Sequence, residues 1–315
     1  MSTISSLEPL ARALPGAKLE RNALRWRGRD VPVRDGIVRF RDDDGYNASF
    51  ARQWKTFSRE QIDALNGTQL SRERVQRETG WRLDEMTAEL VLEAGCGAGR
   101  FTEVLAATGC NLVAFDYSSA VEVSAENNRG RRNISFAQAD LLDLPFPDGV
   151  FDRVFCHGVI QHTPDPAAAF RALDRVLKSG GKLSFDAYLK DGTVQVWKAK
   201  YLWRPITTRT DPARLLAFLE WFIPKWLPLD TMIKRVPVLG RYLGAIVPCM
   251  NYFYLPLSAA EKRRWAVMDT FDALAPTYDN PVRLEEARRW FRDAGYVEFE
   301  VREGGNGLVG NGVKP

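Results

Sequence analysis

Between Thr87 and Tyr188 short apolar runs alternate with amphipathic ones, and few architectures satisfy that order. The runs "ELVLEAG", "NLVAFDY", "ISFAQAD", "FDRVFCHG" and "KLSFDAYL" read as strands, with "GRFTEVLAATG", "SSAVEVSAENNRG" and "DPAAAFRALDRVLKSGG" as helices among them. Such alternation predicts a parallel sheet covered by helices. Gly95, Gly97 and Gly99 fall where the first strand turns into the first helix. A glycine-rich turn there lets a ligand approach the main chain and meet the N–H groups of the helix start; a purely structural tight turn is the alternative. The spacing is GxGxG, which departs from the GxGxxG of a dinucleotide fingerprint. The second strand ends at Asp116, 17 residues after Gly99, about where a carboxylate can bind ribose hydroxyls.

Composition narrows the class. The 315 residues are 45% hydrophobic and 27% charged, which suits a soluble globular chain rather than a disordered one. A net charge of +4 is too small to argue for nucleic acid without a localised basic patch. Cys96, Cys110, Cys156 and Cys249 show no paired CxxC spacing, so neither a disulfide framework nor a metal site is expected. The N-terminal "MSTISSLEPLARALPG" lacks the basic-then-apolar order of a signal peptide, and a cytoplasmic location is expected.

Four regions are expected along the chain: an N-terminal hairpin and cap segment (1–80), a core (81–194), a helical lid insertion (195–256) and a C-terminal part of the core (257–315). Turn residues Gly28 and Asp35-Gly36 predict small hairpins before Phe40. Phe50, Trp54 and Phe57 recur at helical spacing within Tyr46 to Gly67, predicting a cap helix. In the insertion, Asp211-Pro212 predicts a helix start and Pro228 its stop, with Leu215, Leu219, Phe222 and Trp226 on one face. The insertion carries nine basic residues against three acidic ones, a net +6. The final segment predicts a helix over Leu284 to Ala294 and strands over Val297 to Val301 and around Leu308-Val309.

The stretches "VLEAGCGAGR", "AFDYS", "AQADLLDLPFPDGVFDRVFCHGVIQH" and "RVLKSGGKL" resemble, in order, the motifs of class I S-adenosylmethionine-dependent methyltransferases. Within that family "LPFPDGVFDRV" and "VIQHTPDP" are most similar to the small-molecule enzymes of the ubiquinone and menaquinone C-methyltransferase type. The resemblance implies a Rossmann-like, doubly wound α/β fold, seven-stranded with the last strand antiparallel, and S-adenosyl-L-methionine as cofactor. It implies that Glu93, Gly95, Cys96, Gly97 and Gly99 face the amino-acid part of the cofactor, that Asp116 holds the ribose with Tyr117 and Ser118 beside it, and that Asp140 with Leu141 recognises adenine. A capping role is the alternative for Asp140. The segment "RDVPVRDGIVRF" resembles the end of a zinc-ribbon module that precedes some bacterial relatives, but the cysteines of that module are missing, so no zinc is expected.

His157, at the end of the fourth strand, is a candidate general base or else a histidine packed at the cofactor, and Asp269 is the next candidate base. "HGVI" stands where amine-methylating enzymes of this fold carry Asn-Pro-Pro-Tyr, which disfavours methylation of bases or glutamine. Tyr46, Trp54, Trp203, Arg204 and Arg241 are candidate substrate contacts. Trp54 and its aromatic neighbours are explained equally well by core packing. The expected activity is methyl transfer to carbon or oxygen of a small, largely apolar metabolite, isoprenoid or phenolic for example, with an anionic end accommodated by basic residues. The alternatives are O-methylation of a sugar or other secondary-metabolism hydroxyl, and a cofactor-binding partner subunit without catalysis. No nucleic-acid partner is expected. The basic, aromatic insertion suits a lid over substrate, contact with an acidic membrane surface, or a packed element with a solvated face. Sequence does not fix the oligomeric state.

Overall fold

The alternating segment builds the centre of one sheet in the computed structural model, which describes residues 6–20, 22–190, 199–236, 240, 243–244 and 246–315. Its central strands are β5 (Leu90–Ala94), β6 (Asn111–Asp116), β7 (Ile134–Gln138), β8 (Phe151–Cys156) and β9 (Leu177–Ala187). They run parallel in the order β7-β6-β5-β8-β9. Every residue of β5 and β7 is buried, as a strand covered on both faces requires, and this is why these runs read as continuous apolar stretches. After β5 the chain moves outward to β6 and β7, then crosses back to β8 on the other side. The carboxyl ends of β5 and β8 therefore flank the topological switch point, the place where open α/β sheets bind ligands.

Two further strands, β10 (Phe299–Gly304) and β11 (Gly307–Val313), close one side, and β11 inserts antiparallel between β9 and β10. Three helices link the core strands: α5 (Arg100–Ala106), α6 (Ala120–Asn127) and α7 (Pro166–Val176). The Asp165 carboxylate caps α7, accepting from the Ala168 N–H at 2.9 Å.

Among the described residues the sheet has eleven strands, seven of them β5 to β11 with the last antiparallel, and four more preceding these in the chain. Before the core come α1 (Glu8–Ala13) and four strands, β1 (Lys18–Leu19), β2 (Ala23–Trp26), β3 (Arg29–Arg34) and β4 (Ile37–Arg39). The turns joining β2 to β3 and β3 to β4 place Arg27, Gly28, Asp35 and Gly36 at positive φ, the geometry of tight hairpins. β4 then pairs parallel with β7, Ile37 opposite Phe136 and Val38 opposite Ala137. This covers an edge that would otherwise offer unpaired backbone groups, so the hairpins belong to the sheet.

The chain forms two compact units. One comprises Met1–Gly45, Gln61–Lys190 and Tyr278–Pro315 and contains the sheet, with α3 (Asp63–Asn66) and α4 (Leu70–Thr79). The other comprises Tyr46–Glu60 and Asp191–Thr277. It contains α2 (Ala48–Thr56), α8 (Ala199–Thr207), α9 (Pro212–Lys234) and α10 (Ala259–Leu274), while α11 (Leu284–Asp293) returns to the sheet unit. The helical unit is thus larger than the expected insertion, and it includes the cap helix. Pro228 does not stop α9, which runs through Pro224 and Pro228 to Lys234. Its buried face, Leu215, Leu216, Leu219, Ile223 and Asp230, continues past both prolines, and packing outweighs the N–H groups they lack. In α10, Ser258 and Glu261 form a reciprocal capping box.

Candidate cofactor site

The turn after β5 places Gly95, Gly97 and Gly99 at φ +77°, +51° and +93°. A Cβ on Gly95 would lie 2.2 Å from Val159 Cγ2, and one on Gly99 would lie 2.7 Å from Asn128 Nδ2 and 2.8 Å from Ser124 Oγ. Neighbours within the chain therefore already exclude side chains at these two positions. The N–H groups are also committed: Gly95 and Cys96 both donate to Phe115 O, at 2.8 and 2.9 Å, and Gly99 donates to Cys96 O at 2.8 Å. The expectation that such donors await a ligand is corrected for these three. The glycines here let the turn pack closely against Val159, Ser124 and Asn128.

The Gly97 N–H donates to Asp116 Oδ2 at 2.9 Å. Asp116 ends β6, and its Oδ1 accepts from the Ser118 N–H at 2.9 Å and the Ser118 hydroxyl at 2.8 Å. Burial raises the Asp116 pKa against these bonds from Ser118 and Gly97. Ser118 is fully buried, so it orients Asp116 from below rather than flanking a ribose directly. Glu93 is likewise under the turn: it is 1% exposed and accepts from the Thr102 hydroxyl at 2.7 Å. Burial pushes its carboxyl up to about 8, against that bond and with Asp116 adding to the rise. Glu93 anchors the start of α5, which corrects the expectation that it faces the ligand. Burial also raises the thiol of Cys96, and pushes that of Cys110 up to about 11.

Beside the end of β6, the Arg41 guanidinium stacks 3.5 Å from the Tyr117 ring centre, and its Nη1 lies 3.6 Å from Asp140 Oδ2. Asp140 Oδ1 accepts from the Leu142 N–H at 2.8 Å and caps a short 3₁₀ turn, Leu141–Asp143. The capping role is thus present, and Oδ2 faces the Arg41 guanidinium.

His157 follows β8, as its strand position predicts, but it is buried among charges. Its Nδ1 lies 3.4 Å from both Glu78 Oε2 and Asp186 Oδ2, and its Nε2 lies 2.8 Å from Ser184 Oγ. Arg74 donates to both carboxylates, to Glu78 at 3.1 Å and to Asp186 at 2.7 Å. Burial alone would lower the His157 pKa, but Asp186 and Glu78 outweigh it and the net shift is upward. Both carboxyls shift downward despite burial, with His157 the first cause and Arg74 the second. Arg77 also pairs with Glu78, at 3.3 Å. His157 is buried, with Nε2 against Ser184 and Nδ1 facing the two carboxylates, so the expected role of general base is corrected to membership of a buried ion cluster. Glu78, His157 and Asp186 place one ligand atom each within 4.8 Å of one another, a set a metal ion could use, but Arg74 already supplies the positive charge between the carboxylates.

Sequence reasoning missed Arg74, Glu78, Asp186 and Thr102, for none lies in a stretch that carried the motif. It also passed over Gln161 in "VIQH", which is fully buried with neither amide atom hydrogen-bonded to the protein. His162 Nδ1 lies 3.0 Å from Tyr278 O, a scaffold contact.

The remaining candidates belong to the helical unit. Asp269 accepts from the Tyr252 hydroxyl. Tyr46 O accepts from Thr277 Oγ1 at 3.1 Å, and Trp54 lies on α2. Trp203 is exposed, with its Nε1 3.5 Å from Ile246 O. Arg204 is buried and donates to the carbonyls of Ala273 and Pro276 at 3.2 and 2.8 Å. It satisfies the end of α10, which corrects its assignment to an anionic substrate group. Arg241 lies outside the described residues.

Residues 92–185, from β5 to β9, match the family described as "Methyltransferase domain". The match spans the strands that carry the resemblance to class I S-adenosylmethionine-dependent methyltransferases. Over 99 residues the chain is 34% identical to a demethylmenaquinone methyltransferase of Clavibacter sepedonicus, covering 31% of this chain and 40% of that protein. Over 121 residues it is 36% identical to a malonyl-[acyl-carrier protein] O-methyltransferase of Legionella pneumophila, covering 36% and 43%. A ubiquinone biosynthesis O-methyltransferase of Methylococcus capsulatus is 31% identical over 125 residues, covering 38% and 53%. The chain thus spans about half or less of the length of these relatives. A solved structure of a putative S-adenosylmethionine-dependent methyltransferase from Methanococcus maripaludis is 18% identical with a TM-score of 0.45, covering 87% of this chain and 96% of that one.

S-Adenosyl-L-methionine is the cofactor that the resemblance implies, and the residues at the end of β6 fit it. Asp116 is held by three donors from its own chain, which leaves acceptor capacity on a carboxylate with about four lone-pair sites. An uncharged ribose suits that carboxylate, and a phosphate there would be repelled.

Proposed function

We propose that this chain is a methyltransferase that uses S-adenosyl-L-methionine to methylate a carbon or an oxygen of a small, largely apolar metabolite. The observation that carries the reading is the tie between the glycine-rich turn after β5 and the oriented Asp116 carboxylate, inside the stretch that matches a methyltransferase domain. When bound, the cofactor supplies an activated methyl on a sulfonium with a neutral leaving group.

The protein's work is then positioning and exclusion of water. Asp116 accepts from ribose hydroxyls, Asp140 accepts from the adenine amine, and the turn around Gly97 lies beside the amino-acid end.

Relatives named demethylmenaquinone methyltransferase, malonyl-[acyl-carrier protein] O-methyltransferase and ubiquinone biosynthesis O-methyltransferase support methyl transfer to a small molecule, with oxygen the target in two of the three names. The test is to incubate the protein and labelled cofactor with metabolite extracts and search for acceptors that gain a methyl mass. The account expects products that the Asp116→Ala variant makes much more slowly. Cofactor binding without any product across extracts would favour a cofactor-binding subunit instead.

A further inference from the structure

We infer that α9 is a membrane-docking element that lies along the surface of an anionic lipid bilayer. The inference does not rest on methyl transfer. Helix geometry sets its terms: at about 100° per residue, Arg214, Phe218, Trp221, Lys225, Leu229 and Met232 fall within about 80° of arc. All six are exposed, and the apolar four strongly so, with Phe218 at 52%, Trp221 at 59% and Met232 at 69%. The helix already buries a different face through Leu215, Leu216, Leu219 and Ile223. Four large apolar side chains in a row are more than chance exposure explains, because contiguous apolar surface of this kind marks an interaction site.

The stripe itself indicates the occupant. One cation, Lys225, interrupts the apolar row, a second, Arg214, precedes it, and no acidic residue joins it, since Glu220 falls well away around the helix. Lys225 Nζ sits 3.9 Å from the Trp221 ring centre, so an indole and an ammonium share one place on the surface. Trp beside Lys or Arg is the pairing that a headgroup boundary accommodates, with the ring at the acyl edge and the charge among phosphates. Among the described residues no helix is long and apolar enough to cross a membrane, so a helix of this kind lies on the surface. α8 presents a second exposed apolar group, Leu202, Trp203 and Ile206. A second copy of the chain is a poorer occupant, because a face-to-face contact would bring the cations of one stripe against those of the other.

The experiment is co-sedimentation of the full chain with vesicles of phosphatidylcholine alone or containing about a third phosphatidylglycerol, at low and physiological salt. The wild type should partition onto the anionic vesicles at least about tenfold better than onto neutral ones, less so as salt rises. Arg214→Glu with Lys225→Glu should remove that preference, and Trp221→Ser with Met232→Ser should weaken partitioning to both vesicle types. These surface variants should keep the wild-type melting temperature, which shows that the loss is one of docking. Wild-type protein that does not sediment with anionic vesicles, or variants that sediment as well as wild type, would overturn the inference. So would a concentration-dependent dimer abolished by the same substitutions, which would give the stripe to a second copy.

Discussion

The backbone N–H of Gly97 and the Asp116 carboxylate are joined at 2.9 Å, so the turn after β5 and the end of β6 move as one piece. The same turn is clamped from above by Val159. Replacing Gly95 by Ala should therefore destabilise the sheet unit by about 1–3 kcal/mol, through a positive φ and a clash with Val159. Adding Val159→Ala should restore the part due to the clash and leave the backbone strain. Urea denaturation of the two single variants and the double variant measures this, and strict additivity would show that Val159 is not the obstacle.

Glu93 predicts a pH dependence. Its folded pKa is raised to about 8, so between about 4.5 and 8 the folded state keeps a proton that the unfolded chain releases. Stability should fall as pH rises across that window, by up to ~1.4 kcal/mol per pH unit. Glu93→Gln still accepts from Thr102 but carries no such proton, so it should gain on wild type as pH rises. If the variant instead shows the wild-type slope and loses cofactor affinity, Glu93 faces the ligand after all.

The His157 cluster has the opposite acid limb. The folded pKa of His157 is raised, so its contribution is fully present below the ordinary histidine value near 6.5 and is lost as pH rises through the folded pKa. Glu78 and Asp186 are lowered, so their contributions are present above the ordinary carboxylate range and are lost as pH falls through the folded values. Stability owed to this cluster should peak between those limits. His157→Gln should flatten the alkaline side of the profile measured by denaturation, whereas a histidine serving as a neutral base would leave that side unchanged.

Arg204 should behave as a structural residue. Arg204→Ala removes two bonds to buried carbonyls at the end of α10 and should lower stability of the helical unit by about 1–3 kcal/mol. Thermal melting checks the loss. A variant that melts like wild type but shows a raised KM for an anionic acceptor would return Arg204 to substrate binding.

The core was legible because β5 and β7 are wholly buried and β6 and β8 nearly so, which gives short apolar runs, and because a strand end fixes where Asp116 must stand. What was not legible depended on pairings distant in sequence. Nothing local in "GIVRF" says that β4 lies parallel to β7, and nothing near His157 says that Glu78 and Asp186 converge on it. The same holds for Pro228, read as a stop because the face that carries α9 past it is buried only by tertiary packing. Arg204 was legible as a charge but not as a cap, since its partners lie on a helix some 70 residues later.

The most direct test of the account is calorimetric titration of S-adenosyl-L-methionine into the wild type and a folded Asp116→Ala variant. The wild type should bind the cofactor, and loss of the charge-assisted bonds to ribose should weaken affinity by roughly 1.5–3 kcal/mol, about ten- to a hundredfold. Unchanged affinity in the variant would remove Asp116 from the site, and wild-type protein that ignores S-adenosyl-L-methionine but binds NAD would contradict the methyltransferase account.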